Sequence, residues 1–324
     1  MTRRGVDPEP VRGPGPSLRE LTARLAHRAP APGGGSAPDR PRPGAGSAWA
    51  PPGQGRVVSV VPAHAGCGAS TVALALATAA GCPARVVECA SAAASGLVAA
   101  STAELGVDDT GWARGRRDAV IVERVGDVIW SVGEVPPPGR SAVEVTVLDV
   151  AWEAGQVVGA ASWLADQVST DSGRVVLVAS MTVPGMRRLE EALALLPDAL
   201  VVVALAGPPP ARRLARAVTG STGPRTRHLD RGGRCVPVAW DPRLAVTGVD
   251  SAALPRALLT SARRLLTTPL PGTPLPGPTP GAPGPAGGPG GLVGGWPTRA
   301  HRPSPPRSSP ERRPNRTILA EVVS

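Results

Sequence analysis

The feature that most constrains the fold is the run from residue 56 to residue 80, which reads RVVSVVPAHAGCGASTVALALATAA. It begins with an apolar, strand-like segment, continues through a short loop that contains two glycines, and ends in an Ala- and Leu-rich stretch typical of a helix. A strand that leads through a tight loop into a helix is the first half of a β–α–β unit. This run therefore predicts a parallel sheet with helices packed on it.

Similar apolar runs recur along the chain and alternate with helical patterns. Nearly continuous apolar stretches are typical of strands that are buried on both faces of a parallel sheet. The alternation predicts a doubly wound, mostly parallel α/β domain. Two shorter runs, 120–123 and 128–132, predict an antiparallel hairpin at the sheet edge. The predicted strands are 57–61, 85–89, 143–150, 174–179, 199–206 and 235–239, and the predicted helices are 70–80, 155–168, 185–196, 210–218 and 254–266.

The two ends of the chain differ in composition from the middle. Residues 1–55 and 267–324 are rich in Pro, Gly, Arg and Ser. Such segments bury too little apolar surface to offset the entropy of ordering, so we expect two disordered arms around a folded domain at 56–266. Within the first arm, 17–28 (SLRELTARLAHR) starts with a capping box and places three leucines on one face. It predicts a short helix that forms, if at all, on a partner.

Charge follows the same division. The chain has 35 basic residues, all of them arginine, and a net charge of +10. Residues 1–56 carry +5, 267–324 carry +4, and 57–266 carry only +1. This distribution predicts weak, salt-sensitive contact with nucleic acid or an anionic membrane surface through the arms, and argues against a folded DNA-reading face. Four cysteines without close pairing, no leader segment and no apolar run of membrane-spanning length predict a cytoplasmic protein without a transmembrane segment.

The loop between the first strand and helix carries the pattern of a phosphate-binding loop. In a working loop, backbone N–H groups surround the phosphates, a lysine reaches the β and γ oxygens, and a Ser or Thr hydroxyl binds Mg²⁺. Gly66, Gly68, Ser70 and Thr71 stand at suitable positions, but Ala69 occupies the position of the lysine. Since the chain contains no lysine at all, no other lysine can substitute.

This segment resembles the deviant phosphate loop of the MinD/ParA-type ATPases, whose pattern is K-G-G-x-G-K-[ST], and is nearest the CpaE-like branch. The resemblance aligns Gly66 and Gly68 with the glycines, and Ser70 with the Mg²⁺-binding hydroxyl. His64 and Ala69 replace the two lysines of the pattern, and Cys67 falls at its variable position. The resemblance implies a doubly wound phosphate-loop fold, ATP and Mg²⁺ as ligands, and a homodimer. The missing lysines imply that ATP and Mg²⁺ bind weakly or not at all.

Two later segments add candidate site residues. Asp149 ends an apolar strand and resembles the family's acid that orients Mg²⁺ or water; it would be the catalytic residue of an active enzyme, or else it only caps the strand. Glu88 and Ser91 stand where family members carry acids that manage the attacking water. Trp240 and Asp241 follow a late strand that in the family lies near the adenine, where they could stack on a base and accept from its amino group. The alternative is a core tryptophan followed by a turn.

Loss of one preorganised transition-state donor costs about 10²–10³ in rate. With two lysines missing, the leading hypothesis is a degenerate, non-hydrolysing relative that acts through partner binding in regulation, localisation or assembly. One alternative is a slow ATPase that takes its cation from a partner or from Arg187 or Arg243. Another is a nucleic-acid accessory protein that uses the Arg-rich arms. A further reading pairs Cys67 as nucleophile with His64 as base, because a thiol near a helix N-terminus is activated.

Overall fold

The computed structural model describes residues 49–51, 55–169 and 173–271. The helix predicted at 17–28 and most of the two predicted arms lie outside these residues. The strands are β1 (Arg56–Pro62), β2 (Ala84–Glu88), β3 (Ala103–Val107), β4 (Trp112–Arg117), β5 (Val120–Val125), β6 (Val145–Asp149), β7 (Arg174–Ser180), β8 (Val201–Ala206) and β9 (Cys235–Pro237). The helices are α1 (Ala69–Ala79), α2 (Ala154–Val158), α3 (Trp163–Ser169), α4 (Val183–Leu193), α5 (Arg212–Gly220), α6 (Pro224–Arg231), α7 (Pro242–Thr247) and α8 (Arg256–Thr267).

The nine described strands form one sheet in the order β3-β4-β5-β2-β6-β1-β7-β8-β9. All pairings are parallel except those of β3 with β4 and β4 with β5. One apolar layer packs α1 and α8 against one face of the sheet, and a second layer packs α2 to α6 against the other. The structure therefore confirms the predicted doubly wound, mostly parallel α/β fold.

An antiparallel set, β3-β4-β5, lies at one edge of the sheet, and the predicted strand 120–123 is confirmed as part of β5. The second predicted strand is wrong, because 128–132 does not form a strand and β5 pairs with β4 instead. Strand β4 was missed because it reads WARGRR, which lacks an apolar pattern. Arg117 is buried there because its guanidinium donates to the backbone carbonyls of Ala100 and Asp250. Such contacts between distant segments are not visible in a local sequence pattern.

Other elements differ in detail from their predictions. The single helix predicted at 155–168 is two short helices, α2 and α3, and the short helices α6 and α7 were not predicted. Trp49, inside the segment predicted as an arm, packs edge-to-face on Trp163 with ring centroids 5.4 Å apart. Its indole N–H donates to the carbonyl of Pro138 at 3.0 Å. The described fold thus includes a residue upstream of β1.

Strand register brings the candidate acids together at the carboxyl ends of the central strands. Asp149 on β6 is the direct neighbour of Val60 on β1 and of Glu88 on β2. Residues that are direct neighbours in a parallel pair place their side chains on the same face of the sheet. Both carboxylates therefore lie on the face covered by α1, the helix that begins at the glycine loop.

Candidate functional site

The loop between β1 and α1 combines two left-handed glycines with the N-terminus of a helix. Gly66 and Gly68 have φ angles of 73° and 91°, in the left-handed region that favours glycine. Gly68 is also the N-cap of α1, so the loop delivers the chain directly into a helix of 11 residues. The N-terminus of such a helix attracts anions through its N–H groups and its dipole. The loop thus has a backbone suited to an anion, and Ala69 stands where the phosphate-loop pattern has a lysine.

A pocket of about 370 Å³ opens beside the loop. Its walls are the glycine loop and the start of α1, the ends of β7 and β8, the segment from β9 into α7, and one residue of α8. The lining residues are Gly66, Cys67, Gly68, Thr71, Val72, Ser180, Ala206, Gly207, Pro208, Val238, Ala239, Trp240, Asp241, Leu244, Ala245 and Leu258. The structure thus brings the loop together with the predicted base-binding pair, Trp240 and Asp241, although these lie far apart in sequence.

Trp240 and Asp241 have different surroundings in this pocket. The Trp240 side chain is 45% exposed, so its indole face is accessible to a ligand instead of being packed in the core. The Asp241 carboxylate accepts the backbone N–H of Leu244 at 3.0 Å and thereby caps α7. One oxygen of Asp241 therefore has a structural role, while the second oxygen remains available to a ligand.

The pocket offers little charge to a phosphate. Among the described residues that line it, Asp241 has the only charged side chain. Ala69, at the lysine position, is buried against the apolar layer under α1. Neither Arg187 nor Arg243 lines the pocket, and Arg243 is paired with Asp250 at 2.7 Å. A phosphate at the loop would therefore depend on uncharged donors, namely backbone N–H groups and hydroxyls such as that of Thr71.

His64, at the position of the first lysine, is engaged within the protein. Its Nε2 accepts from the backbone N–H of Ser180 at 3.3 Å and lies 3.0 Å from the Ser180 hydroxyl. Its Nδ1 lies 2.9 Å from the carbonyl oxygen of Ala65. An acceptor at Nε2 and a donor at Nδ1 describe a neutral imidazole. His64 is thus a link between the loop and β7 and does not replace the positive charge of a lysine.

Cys67 does not have the surroundings of a catalytic thiol. It is 5% exposed, and burial raises the pKa of its thiol, which the loop N–H groups lower only in part. A reactive cysteine needs the opposite shift, toward the thiolate. The His64 ring contacts Ser180 and not the thiol. These contacts disfavour a Cys67–His64 pair as nucleophile and base.

Ser70 and Asp149, the candidate Mg²⁺ ligands, lie behind the pocket and do not line it. Asp149 is fully buried, and neither of its carboxylate oxygens has a hydrogen-bond partner among the described residues. Burial and, next, the charge of Glu88 raise its pKa from 3.8 to about 7; the Ser70 hydroxyl lowers it, although its geometry falls short of a hydrogen bond. With a pKa of about 7, this carboxyl is protonated in about half of the molecules at pH 7 unless a cation replaces the proton.

Glu88 holds the chain that follows β2. Its carboxylate accepts from the Ser95 hydroxyl at 2.5 Å and from the N–H groups of Gly96 and Leu97 at 2.6 and 3.1 Å. This turn lies close to Ser70. A Cβ added to Gly96 would lie only 2.8 Å from the Ser70 hydroxyl oxygen, so the position suits glycine. Glu88 thus anchors a backbone turn over the candidate metal ligand. Ser91 also has a structural contact, since its hydroxyl accepts the N–H of Ile129 at 3.2 Å.

A basic surface on α5 and α6 was missed by the sequence analysis. Residues 212–234 contain seven arginines and a single acid, Asp230, so this short segment carries +6. Exposed arginines on the two helices are Arg212, Arg216, Arg225, Arg227 and Arg231. Within the described residues, none of the last four forms an ion pair. The charge was overlooked because it was summed over the whole domain, where 57–209 carries −7 and cancels it; a running count would have found it.

No protein-family model matches this chain, and no curated protein sequence matches it. It is similar to the crystal structure of a ParA family ATPase from Chlorobium tepidum TLS, with 13% identity, a TM-score of 0.41, and coverage of 65% of this chain and 99% of that one. It is also similar to a plasmid partition protein from Borrelia burgdorferi B31 bound to AMPPNP, with 10% identity, a TM-score of 0.37, and coverage of 65% and 97%. The sheet order and the loop define the class of this protein. It is an α/β protein with a phosphate-loop-like strand–loop–helix unit.

Within the part of the chain that the structure describes, no helix combines the length and the apolar character needed to cross a bilayer. The described residues likewise contain no group of three or more His, Cys, Asp or Glu side chains placed to hold a metal ion.

Proposed function

We propose that this chain is a degenerate MinD/ParA-like protein that does not hydrolyse ATP and acts by binding other proteins, in regulation, localisation or assembly. The observation that carries the proposal is the charge of the pocket. No positively charged side chain is found among the described residues that line it, although phosphoryl transfer depends on cations that neutralise charge on the phosphates. Neither His64 nor Ala69 supplies that charge, and neither Arg187 nor Arg243 lines the pocket.

The pocket supports weak binding of a nucleotide more than its turnover. The Trp240 face suits stacking on a base, and the loop backbone suits an oxyanion. The residues present do not fit a catalytic Mg²⁺, which keeps several waters in a near-octahedral shell. Ser70 lies under the Gly96 backbone and Asp149 is fully enclosed. We therefore assign no hydrolytic step to these residues.

Phosphate release from Mg-ATP by the full chain tests this proposal. The wild type is expected to release phosphate at the background rate, and Ser70→Ala and Asp149→Ala to leave that rate unchanged. A rate typical of MinD/ParA ATPases that either substitution abolishes would overturn the proposal. Sedimentation with and without Mg-ATP would show in the same preparations whether the chain forms the homodimer that the resemblance implies.

A second candidate function, contact with nucleic acid, is favoured by the α5–α6 surface. Five exposed arginines lie on two helices that follow one another in the chain, so positive charge is concentrated on folded elements. We expect sequence-independent binding whose affinity falls steeply with salt, because cation release drives such contacts.

A paired charge reversal separates this surface from the arms. Arg216→Glu with Arg225→Glu is expected to weaken DNA binding and to reduce its salt dependence. Arg263→Glu with Arg264→Glu makes the same charge change on exposed residues of α8, on the other face of the sheet, and serves as the control. Equal losses of DNA affinity in both variants would show that only the total charge matters. Unchanged affinity in both variants would show that these helices do not bind DNA and would point to the Arg-rich arms.

A further inference from the structure

Ser180 and His64 form a hydrogen-bonded pair at the carboxyl ends of two neighbouring strands. Because Pro62 on β1 is paired with Val178 on β7, two further residues along each segment bring His64 beside Ser180. The Ser180 Oγ lies 3.0 Å from the His64 Nε2. A contact of this kind between a hydroxyl nucleophile and an imidazole base is the one on which serine-based acyl transfer depends.

The surrounding hydrogen bonds fix the direction in which the Ser180 proton points. The backbone N–H of Ser180 donates to the His64 Nε2 at 3.3 Å, so this nitrogen is an acceptor and carries no proton. The Ser180 hydroxyl must then donate to the same nitrogen. The other ring nitrogen, Nδ1, donates its proton to the Ala65 carbonyl oxygen at 2.9 Å. His64 is therefore oriented as a base toward Ser180, with a backbone carbonyl in the place of the carboxylate of a Ser–His–Asp triad.

Contacts at the start of α4 hold the Ser180 side chain from its other side. The Thr182 Oγ1 accepts the backbone N–H of Gly185 at 3.1 Å and lies 3.1 Å from the Ser180 Oγ. Since the Ser180 proton is directed at His64, the Thr182 hydroxyl donates in this contact and Ser180 accepts. A Cβ on Gly185 would collide with the Ser180 hydroxyl oxygen, so glycine leaves room for it. The Ser180 hydroxyl is thus fixed on two sides, with its proton on the histidine side.

The glycine loop supplies donors for the second requirement of acyl transfer, which is an oxyanion site. Ser180, Gly66 and Gly68 line the same pocket. Within the described residues, the backbone N–H groups of Gly66 and Gly68 donate to no other backbone group. Preorganised N–H donors stabilise the oxyanion of a tetrahedral intermediate, and the loss of one costs about 10²–10³ in rate. A loop backbone that suits an anion therefore suits this intermediate, for which no lysine is needed.

The remaining walls of the pocket select the chemical class of a substrate. They include the apolar side chains of Val238, Leu244 and Leu258 and the 45% exposed side chain of Trp240. A flat aromatic group can stack on such an indole. Because Asp241 has the only charged side chain among the described lining residues, an anionic ester would be repelled and would find no charged partner. A volume of about 370 Å³ and these walls suit a small, neutral aryl ester.

The geometry points to hydrolysis of neutral aryl esters of short carboxylic acids, with Ser180 as nucleophile and His64 as general base. The Ser180 Oγ bonds to the ester carbonyl carbon while its proton passes to the His64 Nε2. Collapse of the tetrahedral intermediate breaks the bond to the aryl oxygen, and the phenol leaves with that proton. Water then attacks the acyl-serine and gives a proton to His64, which returns it to Ser180 as the acid leaves. This activity is independent of the proposed binding of other proteins.

Hydrolysis of 1-naphthyl acetate by the full-length protein tests the turnover. The wild type should release naphthol above the buffer rate, and Ser180→Ala should release it at the buffer rate. His64→Gln removes the base and should lower kcat by about 10²–10⁴-fold. The matched control is His228→Gln, which removes an exposed histidine on α6 and should leave kcat unchanged. This control is needed because a free imidazole can itself attack an aryl ester.

A fluorophosphonate probe tests the nucleophile without turnover. The Ser180 Oγ should displace fluoride from phosphorus, with the hydroxyl proton passing to His64, so that peptide mapping finds the phosphonyl group on Ser180. His64→Gln retains the serine but should lose the label, whereas His228→Gln should keep it. A histidine that only links the loop to β7 would have no such effect on the reactivity of Ser180.

The aryl group is tested through KM. Trp240→Ala should raise the KM for 1-naphthyl acetate by about fivefold or more, because stacking on the indole is lost. Trp130→Ala removes an exposed tryptophan that does not line the pocket and should leave this KM unchanged.

Three results would overturn the inference. One is a folded wild-type protein that neither exceeds the buffer rate nor takes the fluorophosphonate label on Ser180. Another is turnover that survives Ser180→Ala or His64→Gln, which would assign it to other groups. The third is an unchanged KM in Trp240→Ala, which would place the aryl ester outside this pocket. Circular dichroism of each variant shows whether the domain is folded, and labelling of the wild type tests the nucleophile even where a variant is not.

Discussion

The open pocket and the enclosed carboxylates behind it are neighbouring parts of one site with opposite character. The pocket is formed by loop backbone, apolar walls and the face of Trp240, and it is almost uncharged. Behind it, Asp149 and Glu88 are both buried and adjacent in register. The comparison separates two properties of the site: a loop backbone suited to an anion, which is present, and positively charged side chains, which the described lining residues do not include.

The largest expected effect is on the pH dependence of stability, and it comes from the buried carboxyl of Asp149. Its folded pKa is about 7 and its ordinary value 3.8, so the folded state holds a proton that the unfolded state releases between these pH values. The free energy of unfolding is therefore highest below about pH 4 and falls as the pH rises to about 7, by roughly 4 kcal/mol from this residue. Asp149→Asn should remove that loss and exceed the wild type in stability at pH 8.

Urea denaturation across this pH range measures the effect. Asp109→Asn removes an exposed carboxyl and should follow the wild-type profile. Identical pH profiles for the wild type and Asp149→Asn would mean that a cation, or an ionised Asp149, is accommodated at this position.

The second prediction concerns the backbone of the open part. Gly68→Ala introduces a Cβ that meets no atom within 4 Å, so any loss of stability comes from the φ angle of 91°. We expect a loss of about 1–2 kcal/mol. Gly220→Ala, near the end of α5, also meets open space but has no unusual φ, and it should be neutral or slightly stabilising. Equal effects in urea denaturation would show that the loop is not held in this conformation.

The third prediction concerns the base-binding end of the pocket. If Trp240 stacks on a base, Trp240→Ala should weaken adenosine binding by about 1–3 kcal/mol. Trp130→Ala removes another exposed tryptophan, which does not line the pocket, and should leave the affinity unchanged. Adenosine and ATP should bind with similar affinity because the pocket gives the phosphates no charged partner. Much tighter binding of ATP in titration calorimetry would contradict the uncharged pocket.

The smallest expected effect is that of Ser70→Ala on Mg-ATP affinity. Its hydroxyl lies under Gly96 and does not line the pocket, so we expect a change below about 0.5 kcal/mol. A large loss that requires Mg²⁺ would show instead that the turn at Gly96 opens and that Ser70 binds the metal.

The sequence predicted what depends on local pattern. Apolar runs located the parallel strands, and Gly66 and Gly68 located a loop that requires positive φ angles. What it could not predict depends on tertiary contacts. The charged strand β4 buries Arg117, whose guanidinium donates to a carbonyl 17 residues away, and Glu88 holds a turn eight residues further along the chain. Whether Trp240 is open or buried also depends on how α7 and α8 pack beside the loop.

The most direct test of the central claim, that lost charge and not lost geometry silences this site, is titration calorimetry of Ala69→Lys with Mg-ATP. The claim predicts that the lysine strengthens binding of ATP but not of adenosine, because the backbone around it is already suited to phosphate. Ala69→Met has a similar length without the charge and should leave ATP affinity at the wild-type value. Unchanged ATP affinity in a folded Ala69→Lys protein, or equal gains from lysine and methionine, would contradict the account.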